Sequence, residues 1–120
     1  MRKHLVISTN NDLVRILPEH VLYISSDGNY STLIQIDGEV RLVTFQLGQI
    51  EKIIAEQLGN EGCVFIRIGK CLIINRSYIY YINISKQQLI LSDNKTSKHS
   101  VSASKEALKK LKELIEKENI

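Results

Sequence analysis

Residues 65–75 contain two short apolar segments on either side of a three-residue break. The segments are Phe65–Ile68 and Leu72–Asn75, and both are rich in β-branched residues, which suit a half-buried pleated surface. Between them, Gly69 permits a backbone bend and Lys70 carries a positive charge. The stretch therefore predicts two strands joined by a tight turn, with a cation presented at the tip.

The same pattern of short apolar runs and turn signals recurs along the chain. Asp27-Gly28-Asn29 and Asp37-Gly38 are strong hairpin signals, because these residue types tolerate positive φ angles. The predicted strands do not alternate with helices, as they would in a parallel sheet. We therefore expect a mainly β protein of compact, small antiparallel sheets. The predicted strands, in addition to the two above, are 4–8, 13–17, 21–25, 30–36, 39–43, 78–84, 89–91 and 99–101.

Two segments change to a helical period. Apolar residues recur at three to four positions between Leu47 and Leu58, which predicts a middle helix over about 45–58. Thr44 is a suitable N-cap and Gly59 a suitable stop. A C-terminal helix is predicted over about 104–117, capped by Ser102 or Ser104, with one apolar face and one charged face.

Length indicates the number of domains, and the distribution of charge indicates the type of partner. The 120 residues suit one domain, which we expect to span residues 1–120. Residues 1–59 carry five basic and seven acidic side chains, whereas residues 60–120 carry eleven and six. The basic half suggests an anionic partner, with nucleic acid first, although a solvated lysine-rich surface explains the same charges.

The sequence also bears on localisation. No window approaches the roughly 18 apolar residues of a membrane span, and the apolar run at the N-terminus is too short for a signal peptide. Cys63 and Cys71 lie in apolar runs without a metal-binding spacing, which predicts buried free thiols. These observations favour a cytoplasmic protein without a membrane partner.

The inventory of catalytic groups is thin. His4, His20 and His99 are scattered, and none has a carboxylate or cysteine at a metal-ligand spacing. No glycine-rich phosphate loop is present. We therefore expect no enzyme activity, catalytic residue, metal or cofactor.

The polar turns on the predicted β scaffold are candidates for recognition. Asparagine or lysine in such turns can contact base edges or bind phosphate, although each turn residue is also explained by its backbone angles.

Three segments together resemble the LytTR family of bacterial DNA-binding domains. Val21–Tyr30 resembles the family segment I-x-Y-I-E-A-x-G-N-Y, and Phe65–Asn75 resembles F-x-R-V-H-R-S-x-I-V-N. Ser100–Ser102, before the last helix, resembles x-V-S-R. Their order and spacing also agree, and the resemblance covers about residues 10–115. It implies small antiparallel sheets whose inter-strand loops enter the major groove of double-stranded DNA, often bending it, at repeated half-sites that pairs of domains occupy.

The resemblance assigns roles residue by residue. Asn29 and Tyr30 fall in the first recognition loop, and Lys70 falls at the basic position of the second. Ser104 and Lys105 fall at the third, where the last helix begins. The resemblance also includes an arginine inside a strand, here Arg67. We expect it to pair with an acidic group or a backbone carbonyl, or to contact phosphate. A further phosphate contact is expected at Arg76, although solubility also explains that side chain.

The resemblance has departures that leave a second function open. Gly69, Cys71 and Ala103 replace the usual histidine, serine and arginine. The leading hypothesis is a stand-alone, sequence-specific DNA-binding transcriptional regulator of the type that forms response-regulator output domains, acting as a homodimer on DNA or with a regulatory protein. The alternative is a non-enzymatic protein-interaction module on the same scaffold with weakened DNA binding. The cluster of Tyr78, Tyr80 and Tyr81 could be core or a dimer contact.

Overall fold

A computed structural model describes residues 3–95 and 98–118. Residues 1–2 and 119–120, at the ends of the predicted domain, lie outside the described residues. The described chain contains ten strands and two α-helices. It divides into two compact units, residues 1–76 and residues 77–120, and each unit is described by itself.

The first unit contains a two-stranded and a five-stranded antiparallel sheet. The small sheet pairs β1 (Leu5–Ser8) with β2 (Leu13–Ile16). In the large sheet the strands lie in the order β5-β4-β3-β7-β6. Its strands are β3 (Val21–Ser26), β4 (Ser31–Gln35), β5 (Val40–Val43), β6 (Phe65–Ile68) and β7 (Leu72–Asn75). The hairpin predicted over residues 65–75 is therefore present, and its second strand lies beside β3.

Helix α1 (Leu47–Leu58) covers one face of this unit's core. Its buried residues recur at helical spacing and pack with apolar side chains from both sheets, because one stripe of an amphipathic helix must be removed from water. Its start differs from the prediction. Gln46, not Thr44, is the N-cap, and its backbone N–H donates to the Gln49 side-chain oxygen over 2.8 Å. The helix ends at Gly59 as predicted, where the backbone turns to a φ of 56°. The buried helix residues are Leu47, Ile50, Ile54 and Leu58.

The second unit is a three-stranded antiparallel sheet with one helix. Its strands are β8 (Ile79–Asn83), β9 (Gln88–Ser92) and β10 (Lys98–Ser102), in the order β10-β9-β8. Helix α2 (Lys105–Glu118) follows β10 and contacts β8. The Ala107 N–H donates to the Ser104 hydroxyl over 3.1 Å, which identifies Ser104 rather than Ser102 as the cap.

The fold prediction is confirmed: the protein is mainly antiparallel β, with one middle and one C-terminal helix. Of the two interpretations left open for the tyrosine cluster, core is excluded for Tyr80 and Tyr81, which are exposed on β8. The prediction of buried thiols was wrong, since Cys63 lies in a short 3-10 helix and Cys71 in a turn, where both are exposed. Within residues 3–95 and 98–118, no helix is long and apolar enough to cross a membrane.

The buried side chain of Asn75 joins the end of β7 to the start of β3. It is 1% exposed, and its amide nitrogen donates to the carbonyls of Val21 at 3.0 Å and Pro18 at 3.3 Å. We expect Asn75→Ala to lower the free energy of unfolding by about 1–3 kcal/mol, because buried carbonyls lose their donor. Urea unfolding measures this. Asn60→Ala, on an exposed asparagine, is the control and should change it by less than about 0.5 kcal/mol. Equal effects would contradict this role of Asn75.

Candidate nucleic-acid interface

The sheet order places two loops side by side. Strand β3 ends at Ser26 and its antiparallel neighbour β7 begins at Leu72. The β3–β4 loop (residues 27–30) and the β6–β7 turn (residues 69–71) therefore lie at the same end of the five-stranded sheet. A hydrogen bond from the Ser26 N–H to the Cys71 carbonyl, 2.8 Å long, continues the β3–β7 ladder up to the loops. We call residues 27–30 and 69–71 the paired loops.

The first of the paired loops is closed by its own hydrogen bonds. The Asp27 N–H donates to the Tyr30 carbonyl over 2.9 Å, and the Gly28 N–H donates to the Ser26 hydroxyl over 3.2 Å. Gly28 has a φ of 89°, which glycine adopts without steric cost. The Tyr30 hydroxyl donates to the Asp27 carboxylate, and this bond together with the negative charge raises the pKa of Tyr30 above its usual 10.0.

Arg67 shapes the second of the paired loops. Its Nε donates to the Gly69 carbonyl over 3.2 Å, and its Nη2 donates to the Lys70 carbonyl over 3.0 Å. Its Nη1 forms an ion pair with Glu51 of α1. The prediction that Arg67 pairs with an acidic group or a backbone carbonyl is confirmed on both counts. The guanidinium therefore holds the turn to the helix and leaves few of its donors available to a ligand.

Two side chains at the paired loops remain available for recognition. Asn29 and Lys70 are both exposed. Neither side chain has a hydrogen bond or ion pair within residues 3–95 and 98–118. An asparagine amide offers a donor and an acceptor, whereas a lysine offers a positive charge with three donors. The paired loops therefore present one group suited to a base edge and one suited to phosphate or guanine.

The remaining predicted residues lie elsewhere. Arg76 follows β7, at the end of the sheet opposite the paired loops, and its Nη1 donates to the Cys63 carbonyl over 3.4 Å. The structure therefore does not bring Arg76 together with Asn29 and Lys70. Ser104 and Lys105 belong to the second unit, where Ser104 caps α2 and Lys105 is exposed in its first turn.

Two supporting residues escaped the sequence analysis. Glu51 holds Arg67 from a helix sixteen positions away, and Asp27 holds the hydroxyl of Tyr30. A turn aspartate is explained by backbone geometry alone, so nothing in the sequence indicated the second bond. The partner of Arg67 depends on how α1 lies against β6, which a sequence pattern does not show.

The antiparallel sheets and two helices define a small β-scaffold domain, with Asn29 and Lys70 exposed on the paired loops. Comparison with known families gives its class: residues 11–116 match the LytTr DNA-binding domain, and the chain belongs to this family. A solved chain from Bacillus cereus, described as the LytTr DNA-binding domain of a methyl-accepting/DNA response regulator, is similar in fold. It has a TM-score of 0.66 and 16% sequence identity, over 96% of this chain and 98% of that one. No curated protein matches the sequence.

Family membership makes this a DNA-binding domain rather than an enzyme. The described part of the chain contains no group of three or more His, Cys, Asp or Glu residues that could hold a metal ion.

Gly69 and Gly48 should respond to alanine with opposite signs. Gly69 has a φ of 59° in the turn, where a side chain is strained although space is open around it. Gly69→Ala should lower the free energy of unfolding by about 1–2 kcal/mol. Gly48 lies in α1 with open space and an ordinary φ, so Gly48→Ala should raise it by up to about 1 kcal/mol. Urea unfolding measures both, and a stabilising Gly69→Ala would contradict the strained turn.

The bond between Tyr30 and Asp27 predicts a pKa change. Asp27→Asn removes the negative charge that favours the neutral phenol, so the pKa of Tyr30 should fall toward 10.0. An NMR titration of the Tyr30 ring measures this. Asp37→Asn, in the β4–β5 hairpin turn, is the matched control and should leave the pKa of Tyr30 where it is. An unchanged pKa in Asp27→Asn would exclude the bond in solution.

Proposed function

We propose that this protein is a bacterial, cytoplasmic transcriptional regulator that binds specific double-stranded DNA by inserting the paired loops into the major groove. Its membership in the LytTR family supports DNA as the partner. The observation that carries the groove contact is the exposure of Asn29 and Lys70 on loops that follow neighbouring strands. We propose one domain over residues 1–120, acting as an output domain of the response-regulator type, with copies bound at repeated half-sites.

The dimensions of the paired loops suit a major groove. Neighbouring strands lie about 4.8 Å apart, so loops that extend β3 and β7 are separated by roughly that distance. The major groove of B-form DNA is about 12 Å wide and admits two strands side by side. Both loops can therefore enter one groove together, and the Ser26–Cys71 hydrogen bond keeps their spacing constant.

The charges of the two loops favour different contacts with DNA. The carboxylate of Asp27 lies in the first loop and repels a phosphate there, which favours contact of Asn29 with base edges. An asparagine amide can form two hydrogen bonds with adenine. Lys70 has no carboxylate partner among the described residues, so its charge is available to a phosphate or to guanine. Tyr30 keeps its ring exposed, at 38%, beside this contact.

The other predicted residues take supporting or separate roles in this proposal. Arg67 positions the second loop through its bonds to the carbonyls of Gly69 and Lys70 instead of contacting DNA. Lys105 in the first turn of α2 is proposed as a phosphate contact, with Ser104 as the cap that begins this helix. Arg76 is left out of the interface because it lies at the opposite end of the sheet from the paired loops.

The test separates base contacts from phosphate contacts. Binding to promoter DNA and to random DNA is measured by fluorescence anisotropy over a range of salt concentrations. Asn29→Ala should weaken binding to the preferred promoter by about 1–3 kcal/mol and leave random DNA nearly unchanged. If Lys70 contacts phosphate, Lys70→Ala should weaken binding to both and lower the salt slope by about 1.

Arg76→Ala is the matched control for Lys70→Ala. It removes one positive charge from the end of the sheet opposite the paired loops, so DNA affinity should not change. Circular dichroism checks that this variant is folded. If folded Lys70→Ala and Asn29→Ala variants bind like the parent, the paired loops are not the interface. Absence of any DNA binding at low salt would instead favour the protein-interaction module.

A further inference from the structure

A cleft of about 500 Å³ lies in the first unit, away from the paired loops. Residues 12–17, which include all of β2, line one side of it. Gln35, Glu39 and Arg41, from the β4–β5 hairpin, also line it. Because β4 ends and β5 begins at the end of the sheet opposite the paired loops, the cleft lies toward that opposite end.

The two edges of the small sheet differ in their hydrogen bonding. On the outer edge of β1, the Val6 N–H donates to Gln57 Oε1 and the Val6 carbonyl accepts from Gln57 Nε2, both at 2.8 Å. The backbone groups of Val6 therefore point away from β2. Val6 lies opposite Arg15 in the antiparallel register. Because the backbone groups of Val6 point away from β2, these two residues form a non-hydrogen-bonded pair, and the N–H and carbonyl of Arg15 also point outward.

The outer edge of β2 has no such cover. By the alternation of an antiparallel ladder, the N–H and carbonyl groups of Leu13 point outward with those of Arg15. Among the described residues none of these four groups has a hydrogen-bond partner. Leu13 is also an exposed apolar side chain, at 58%. An unpaired edge with an exposed apolar residue is a ready template for another strand.

We propose that this cleft binds an extended, acidic peptide segment of a partner protein, which adds a strand to the free edge of β2. An added strand would pair its backbone with Leu13 and Arg15, as in other cases of strand addition. The four residues of β2 span about 13 Å, which an extended segment of similar length can match.

The charges that line the cleft favour an acidic segment. Two arginines and two carboxylates line it: Arg15, Arg41, Asp12 and Glu39. The Asp12 carboxylate accepts a hydrogen bond from the Thr9 hydroxyl, and Glu39 lies beside Arg41. Arg15 has no ion pair within the described residues. The other arginine, Arg41, has only a long contact of 3.9 Å to Glu39. A carboxylate on the segment would therefore find a partner at Arg15.

This proposal adds a regulatory surface to the proposed function without depending on it. The cleft and the paired loops lie toward opposite ends of the five-stranded sheet. A partner bound at β2 therefore leaves Asn29 and Lys70 accessible. The protein could then bind DNA and a partner segment at the same time, so that the partner is brought to the promoter.

The test uses a short blocked peptide of alternating valine and glutamate as the probe, with backbone amides followed by NMR. Addition of the peptide should shift the Leu13 and Arg15 amide resonances and slow their hydrogen exchange. A matched peptide with lysine in place of glutamate should bind more weakly by up to about fivefold, the upper end for one exposed ion pair. The glutamate peptide with N-methylated backbone amides should not bind, because it cannot pair with a strand edge.

Arg15→Glu provides the matched variant. It should reverse the preference, so that the lysine peptide binds more tightly than the glutamate peptide, while DNA affinity changes little. The proposal is overturned if neither peptide affects the Leu13 and Arg15 amides, if the N-methylated peptide binds equally well, or if sedimentation shows that β2 instead pairs two copies of the chain. DNA binding by the same variant separates this result from the proposed function.

Discussion

The pairing of β3 with β7 is the constraint on which the first unit depends. It joins segments about fifty positions apart in the sequence, with Tyr23 opposite Ile74 and Ser25 opposite Leu72. At one end the ladder continues through the Ser26–Cys71 bond, and at the other the Asn75 amide holds the carbonyls of Pro18 and Val21. All four residues of β7 are buried, so both of its faces are packed. A shift of one residue would exchange every side chain between these two faces, so packing supports the register. The spacing of the paired loops follows from this pairing.

Three positive charges near the five-stranded sheet serve different purposes. Arg67 is engaged with Glu51 and two turn carbonyls, so it contributes shape. Arg76 is held at the far end through the Cys63 carbonyl. Lys70 alone of these three has a side chain without a partner among the described residues. Residue type and charge therefore do not distinguish a structural cation from a binding one. The distinction depends on which acceptors lie within reach of each side chain.

The turn at Gly69 shows how a departure from the family pattern can remain compatible with the family's fold. Glycine replaces the usual histidine there, and a φ of 59° is a conformation that glycine adopts readily. The side chain that is lost could have contacted DNA, but the arginine two positions earlier still secures the turn. In the proposed interface, Lys70 is then the group that this loop offers to DNA. Glycine at position 69 therefore leaves the loop in place but with one side chain fewer for the proposed contact with DNA.

The sequence by itself determined the hairpins, both helices and the mainly antiparallel class, because turn residues and hydrophobic period act over a few positions. It also indicated Asn29 and Lys70 through family motifs. Only the tertiary structure decided that β7 lies beside β3, that Arg76 lies at the opposite end, that both thiols are exposed and that Gln46 begins α1. It also showed that Gln57 covers the outer edge of β1, whereas the outer edge of β2 has no hydrogen-bond partner among the described residues. Such features arise from residues far apart in the chain, whose pairing is selected by burial and hydrogen bonding of the whole unit.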